Sequence, residues 1–206
     1  MMTFTNSARN LILTVLLLAG PASAALAACP ASSDLEQGIV LTRSVDGYAI
    51  LYRESAGELI SRYQYPRGAE PADDVTATFA HALLPTMRAG DKGAFRFVYD
   101  KPVAGIDDRL ADGNDWQSGV TFLIDGKTIS KGTMDVTFRG RQSVALGACH
   151  YQALIVETAL LLEDTAPIAF RYSYVPSLGI PVEAIRIDQH GNPVSGVTYD
   201  SIRLAR

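Results

Sequence analysis

The chain is sparing with the residues that usually carry chemistry: three histidines, two cysteines and one tryptophan among 206 residues. His81, His150 and His190 are far apart, and none falls in an HxH, HxxxH or HExxH spacing, so no metal site and no metal cofactor is expected. A GxSxG nucleophile elbow and a glycine-rich phosphate loop are both missing, which argues against an α/β-hydrolase and against a nucleotide-binding site. Neither cysteine lies in a CxxC redox pair. Charge is also scarce. Only 19% of residues are Asp, Glu, Lys or Arg, the net charge is −4, and no basic stripe exists to follow a nucleic acid or an anionic membrane surface. Internal repeats and low-complexity tracts are absent.

The longest apolar run is Leu11 to Ala19. It is too short to span a bilayer, which takes roughly 20 apolar residues, and has the length of a signal-peptide core. Arg9 precedes it, Gly20 and Pro21 end it, and small residues follow. Residues 1–28 are therefore read as a signal peptide, and 29–206 as a single β-rich domain exported to the periplasm. Two cleavage patterns overlap. Leu26-Ala27-Ala28-Cys29 matches a lipoprotein box, whereas Ala22-Ser23-Ala24 and Ala25-Leu26-Ala27 match ordinary export sites. Gly20 to Ala25 separate the box from the apolar core, and Pro30 is an awkward second residue for a lipidated terminus, so ordinary cleavage fits better. In that case Cys29 is expected to pair with Cys149, because cysteines pair in an oxidising compartment. The alternative is a lipid on Cys29, which tethers the protein to a membrane and leaves Cys149 a lone thiol.

The body of the sequence has β patterning. Ile39–Val45 and Tyr48–Tyr52 flank Asp46-Gly47, Leu59–Tyr65 follows Ala56-Gly57, and Asp125-Gly126 divides Val120–Ile124 from Thr128–Ser130. The two Asp-Gly pairs favour hairpins because both positions tolerate positive φ, and Ala56-Gly57 marks a further turn. Met134, Val136 and Phe138 alternate with Asp135, Thr137 and Arg139, the period of a strand with one wet face. Gln152–Leu162, Ile168–Val175, Ile180–Asp188 and Val194–Leu204 complete the strands, the last two as a hairpin across His190-Gly191-Asn192. One helix is expected from about Asp74 to Leu84, capped by Asp73 or Asp74 and ended by Pro85, with Val75, Phe79 and Leu83 on its apolar face. Residues 100–116 read as a long loop carrying Asp107, Asp108, Asp112 and Asp115. Their spacing does not match an Asp-x-Asp-x-Asp-Gly calcium loop, and solvated turn residues are the plainer reading. His150 beside Cys149 points to the opposite face of a strand, so the pair does not form an activated thiol.

The pattern predicts a mainly β fold: a curved antiparallel meander of about ten strands with one packed helix, a half-barrel or open barrel, with a closed up-and-down barrel as second choice. The segment Tyr172-Ser-Tyr174-Val-Pro176-Ser-Leu178-Gly179-Ile-Pro-Val182 resembles the C-terminal strand pair of uncharacterised exported proteobacterial β-meander proteins, with their Tyr-x-Pro-x-Leu-Gly-x-x-Val pattern. Gly147-Ala-Cys149-His-Tyr151 looks similar. The resemblance covers about the last 70 residues, implies a curved periplasmic sheet remotely like the lipoprotein-carrier half-barrels, and brings no catalytic residues. The expected function is a non-enzymatic envelope protein holding an apolar ligand or partner on a concave sheet, with Phe79, Leu83 and Trp116 as candidate contacts. The alternatives are a structural or assembly factor with a solid core, and a hydrolase using the Asp107–Asp115 loop.

Overall fold

The structure, a computed structural model, describes residues 29–64, 75–90 and 93–206. The expected signal peptide and the proposed helix caps Asp73 and Asp74 lie outside the described residues. Thirteen strands are seen among the described residues: β1 (Ile39–Arg43), β2 (Tyr48–Ser55), β3 (Glu58–Gln64), β4 (Thr76–His81), β5 (Leu84–Gly90), β6 (Gly93–Tyr99), β7 (Trp116–Ile124), β8 (Lys127–Leu146), β9 (Cys149–Leu162), β10 (Ile168–Val175), β11 (Ile180–Ile187), β12 (Pro193–Thr198) and β13 (Ser201–Leu204). They form one open antiparallel sheet in the order β12-β11-β10-β9-β8-β7-β6-β5-β4-β3-β2-β1-β13. The meander is therefore as expected, but it has thirteen strands rather than about ten, and the sheet is not closed.

Turn chemistry sets the register of the hairpins. Ala56-Gly57 and Asp125-Gly126 both take positive φ at both positions, the geometry of a tight two-residue turn that matches strand twist. At Asp46-Gly47 only Gly47 is left-handed, and the turn is instead closed by the Gly47 N–H donating to the Arg43 carbonyl and by a 2.6 Å ion pair between Arg43 and Asp46.

The expected helix is not formed by its described residues, 75–84, which lead into β4, a turn at Ala82-Leu83, and the start of β5. Val75 and Phe79 are four residues apart, an even spacing that puts them on one face of a strand as well as near one face of a helix. Thr76 and Thr78 lie between them, and β-branched residues favour the strand. Pro85 sits opposite Phe79 where the β4–β5 register shifts, a bulge that tolerates its missing N–H. The one α-helix among the described residues, α1 (Ile106–Ala111), is inside the segment read as a loop. Gly105 enters it with φ 79°, and Ile106 and Leu110, one turn apart, are both buried.

The C-terminal residues also depart from expectation. Val194–Leu204 is two strands, one at each end of the sheet. β12 pairs with β11, and β13 pairs with β1. Only Tyr199 and Asp200 join them, so the two ends of the sheet converge at that point. The Tyr199 N–H donates to the Val182 carbonyl on β11, and the next N–H, of Asp200, donates to the Thr42 carbonyl on β1. The sheet must curve strongly to allow both.

Curvature divides the interior into two packed regions. In one, Ile39, Leu41, Ile50 and Tyr52 of β1 and β2 meet Val175, Leu178, Ile180 and Val182 from the far side of the sheet. In the other, Ile106 and Leu110 of α1 pack with Leu83, Leu84, Trp116, Val136 and Val156. The chain from residue 29 is fastened over the first region. Cys29 is disulfide-bonded to Cys149, as expected from the cysteine count. The Tyr151 hydroxyl donates to the Pro30 carbonyl at 2.9 Å, and Leu35 is buried. A sulfur held in this bond is not available to carry a lipid.

Candidate functional site: a cavity inside the curved sheet

Inward-facing residues of β2 to β6 and of β8 to β11 do not meet everywhere. Between them lies a cavity of about 330 Å³. Its wall is built by strand alternation: Ile50 and Tyr52 on β2, Ser61 and Tyr63 on β3, and Ala77 and Phe79 on β4 all point the same way. Leu160, Phe170 and Tyr172 supply the facing wall. The lining is mainly aliphatic and aromatic. Its polar groups are the hydroxyls of Ser61, Thr158 and the three tyrosines, together with Arg88. Burial pushes the Tyr52 phenol well up, and it also pushes Tyr172 up against the opposing effect of a hydrogen bond with Thr158. Both phenols therefore stay neutral and present hydroxyls rather than charge. A mostly apolar cleft with few polar groups suits an apolar molecule, and the volume is near the low end of the roughly 300–1,000 Å³ typical of ligand pockets.

Two of the three candidate contact residues, Phe79 and Leu83, line this cavity. They do so from a strand and a tight turn rather than from a helix. Phe79 is half-buried and its ring lies 6.5 Å from that of Tyr52. Trp116 is not among the lining residues. It begins β7, is buried under α1, and meets Tyr99 edge-to-face at 6.1 Å between ring centres. Sequence reading missed the aromatic residues of β10 and the tyrosines of β2 and β3 as wall residues. Their alternation was visible, but not which alternating faces would oppose each other.

The acidic segment has a structural geometry. Asp107 does not meet His150 or His190, but His81, whose Nε2 lies 3.2 Å from its Oδ1. The buried Tyr174 hydroxyl donates to the same oxygen at 2.7 Å. Burial raises the Asp107 carboxyl, but the hydrogen bonds from His81 and Tyr174 outweigh it and hold the group below the usual carboxylate range. The other ring nitrogen of His81 accepts the Leu83 N–H at 3.3 Å. Both imidazole nitrogens are thus engaged, leaving neither to take a proton from a nucleophile. Asp115 accepts the Phe138 N–H at 2.9 Å, fixing the entry to β7 against β8. These contacts clamp α1 and its flanks to the sheet beside the Ala82-Leu83 turn. Among the described residues, no three His, Cys, Asp or Glu side chains gather as a metal-binding group.

Comparison with protein-family models, curated proteins and solved structures returns no match. The reading of the site rests on its own geometry.

Proposed function

We propose that the protein is a non-enzymatic component of the cell envelope that holds an apolar ligand, or an apolar segment of a partner, inside its curved sheet. The cavity carries this reading. A domain whose only task is structural gains stability by filling its core, because each unfilled volume forfeits packing. Among the described residues, aromatic and aliphatic side chains from nine strands surround space instead of closing it. The hydrolase alternative is disfavoured by the engaged nitrogens of His81 and the structural hydrogen bonds of Asp107 and Asp115. Export to the periplasm is the matching location. The signal-like residues 1–28 motivate it, and the Cys29–Cys149 disulfide is consistent with an oxidising compartment. Cleavage after Ala24 or Ala27 would leave Cys29 free to form that bond.

Ala77 provides the test. It is small, lines the cavity, and stands between Ser61 and Arg88 across the sheet. A delipidated sample should bind a fluorescent fatty-acid probe saturably at micromolar levels. Ala77→Trp, which plugs the space, should abolish binding while the protein keeps its far-ultraviolet circular dichroism. No saturable binding by the folded wild type, or binding undiminished by the plug, defeats the proposal.

A further inference from the structure

We infer that the ligand is a single-chain anionic amphiphile whose head group sits on Arg88 and whose chain crosses Ala77 and Ser61 towards Tyr52. This rests on the ligand-binding reading above and narrows it to a chemical class. Strand register carries the argument. Tyr52 pairs with Ser61, Ser61 with Ala77, Ala77 with Arg88, and Arg88 with Phe95. Cross-strand partners share a face of the sheet, and all five of these residues line the cavity. They therefore form one transverse row over β2 to β6. With strands about 4.8 Å apart, Arg88 and Tyr52 are separated by roughly 14 Å of sheet.

Side-chain size shapes that row into a trough. Ser61 and Ala77 are small and lie between the larger Tyr52 and Arg88. Tyr52 is 6% exposed and closes the inner end, whereas Arg88 is exposed and marks the outer end. Arg88 is the one charged residue lining the cavity among the described residues. It makes no ion pair with them; the arginines engaged in such pairs are Arg43, Arg139 and Arg171. A guanidinium at the rim of an apolar trough complements a carboxylate, sulfate or phosphate ester, which its planar fork can bind through two hydrogen bonds. The opposite orientation would bury the anion beside Tyr52 and Ser61, where no cation among the described lining residues compensates its lost hydration. The modest volume fits one chain better than a bundle of chains.

A charge series on a common tail tests this. Dodecanoate, dodecanol and dodecyltrimethylammonium, each below its micelle-forming concentration, are titrated by calorimetry into the delipidated wild type, Arg88→Gln and Arg88→Glu. Because Arg88 is exposed, both variants should melt like the wild type. The wild type should prefer the anion to the alcohol, and the alcohol to the cation. Arg88→Gln should weaken dodecanoate roughly five- to tenfold and leave dodecanol nearly unchanged. Arg88→Glu should reverse the order of anion and cation. Equal affinity for all three tails in the wild type, or an anion preference that survives Arg88→Gln, overturns the head-group assignment and leaves the apolar-ligand reading standing. If none of the three binds, both fall.

Discussion

Breaking the Cys29–Cys149 bond should destabilise the protein through its unfolded state. The bridge spans a sequence separation of 120 residues, most of the domain. In the chain-entropy model a loop of that size removes about 16 cal/mol/K from the unfolded ensemble, or about 4.9 kcal/mol at room temperature, and measured values are commonly 2–4 kcal/mol. The native contacts around the bridge do not depend on it alone. The Tyr151 hydroxyl still reaches the Pro30 carbonyl, the Ser32 N–H donates to the Ser177 carbonyl at 2.8 Å, and Leu35 remains in the core. Cys149→Ser should therefore fold, lose about 2–4 kcal/mol in urea denaturation under oxidising conditions, and show a larger denaturant slope because its unfolded chain is no longer looped. Cys29 in this variant should react with a thiol reagent. Under reductant, wild type and variant should converge. A deficit that persists in full under reductant would refute the reasoning, because the cost would then be lost packing around Cys149. So would a variant as stable as the oxidised wild type.

Two further outcomes test other parts of the structure. Asp107→Asn should lower stability at pH 7 by about 1 kcal/mol or less, since the side chain is 56% exposed and solvent screens its interactions. The Asp107 carboxyl is depressed in the folded state, so its contribution is present above the ordinary carboxylate pKa near 4 and is lost as pH falls through the depressed value. Urea midpoints of wild type and variant should accordingly approach one another on acidification, and a gap that widens would show the sign to be wrong. Gly132→Ala should cost about 1–3 kcal/mol, because a Cβ there would collide with the Leu161 carbonyl oxygen and the β8 and β9 backbones must part. A thermal melt unchanged from wild type would mean that the close approach is not maintained in solution.

Much of this architecture was legible in the sequence because its determinants are local. Alternating hydrophobicity marks most strands, and Asp125-Gly126 fixes a hairpin because Asp and Gly both tolerate positive φ, whereas at Ala56-Gly57 only the glycine does so readily. Two cysteines and a signal-like leader were enough to expect the pairing of Cys29 with Cys149. Where local signals were ambiguous, tertiary structure decided. Val75 and Phe79 satisfy a helical and an extended period alike, and sheet pairing with β3 and β5 made their segment a strand. Ile106 and Leu110 give only one turn of periodicity, too little to mark α1 without the core that buries them. The break at Tyr199-Asp200 has no comparable local signal, since it exists to join two ends of a sheet brought together by curvature. The cavity is the extreme case. Each of its walls is an ordinary alternating strand, but which faces oppose each other, and how far apart, depends on the curvature of the whole sheet. That places Arg88 beside an apolar trough whose far wall comes from residues some 70 to 100 positions later in the chain.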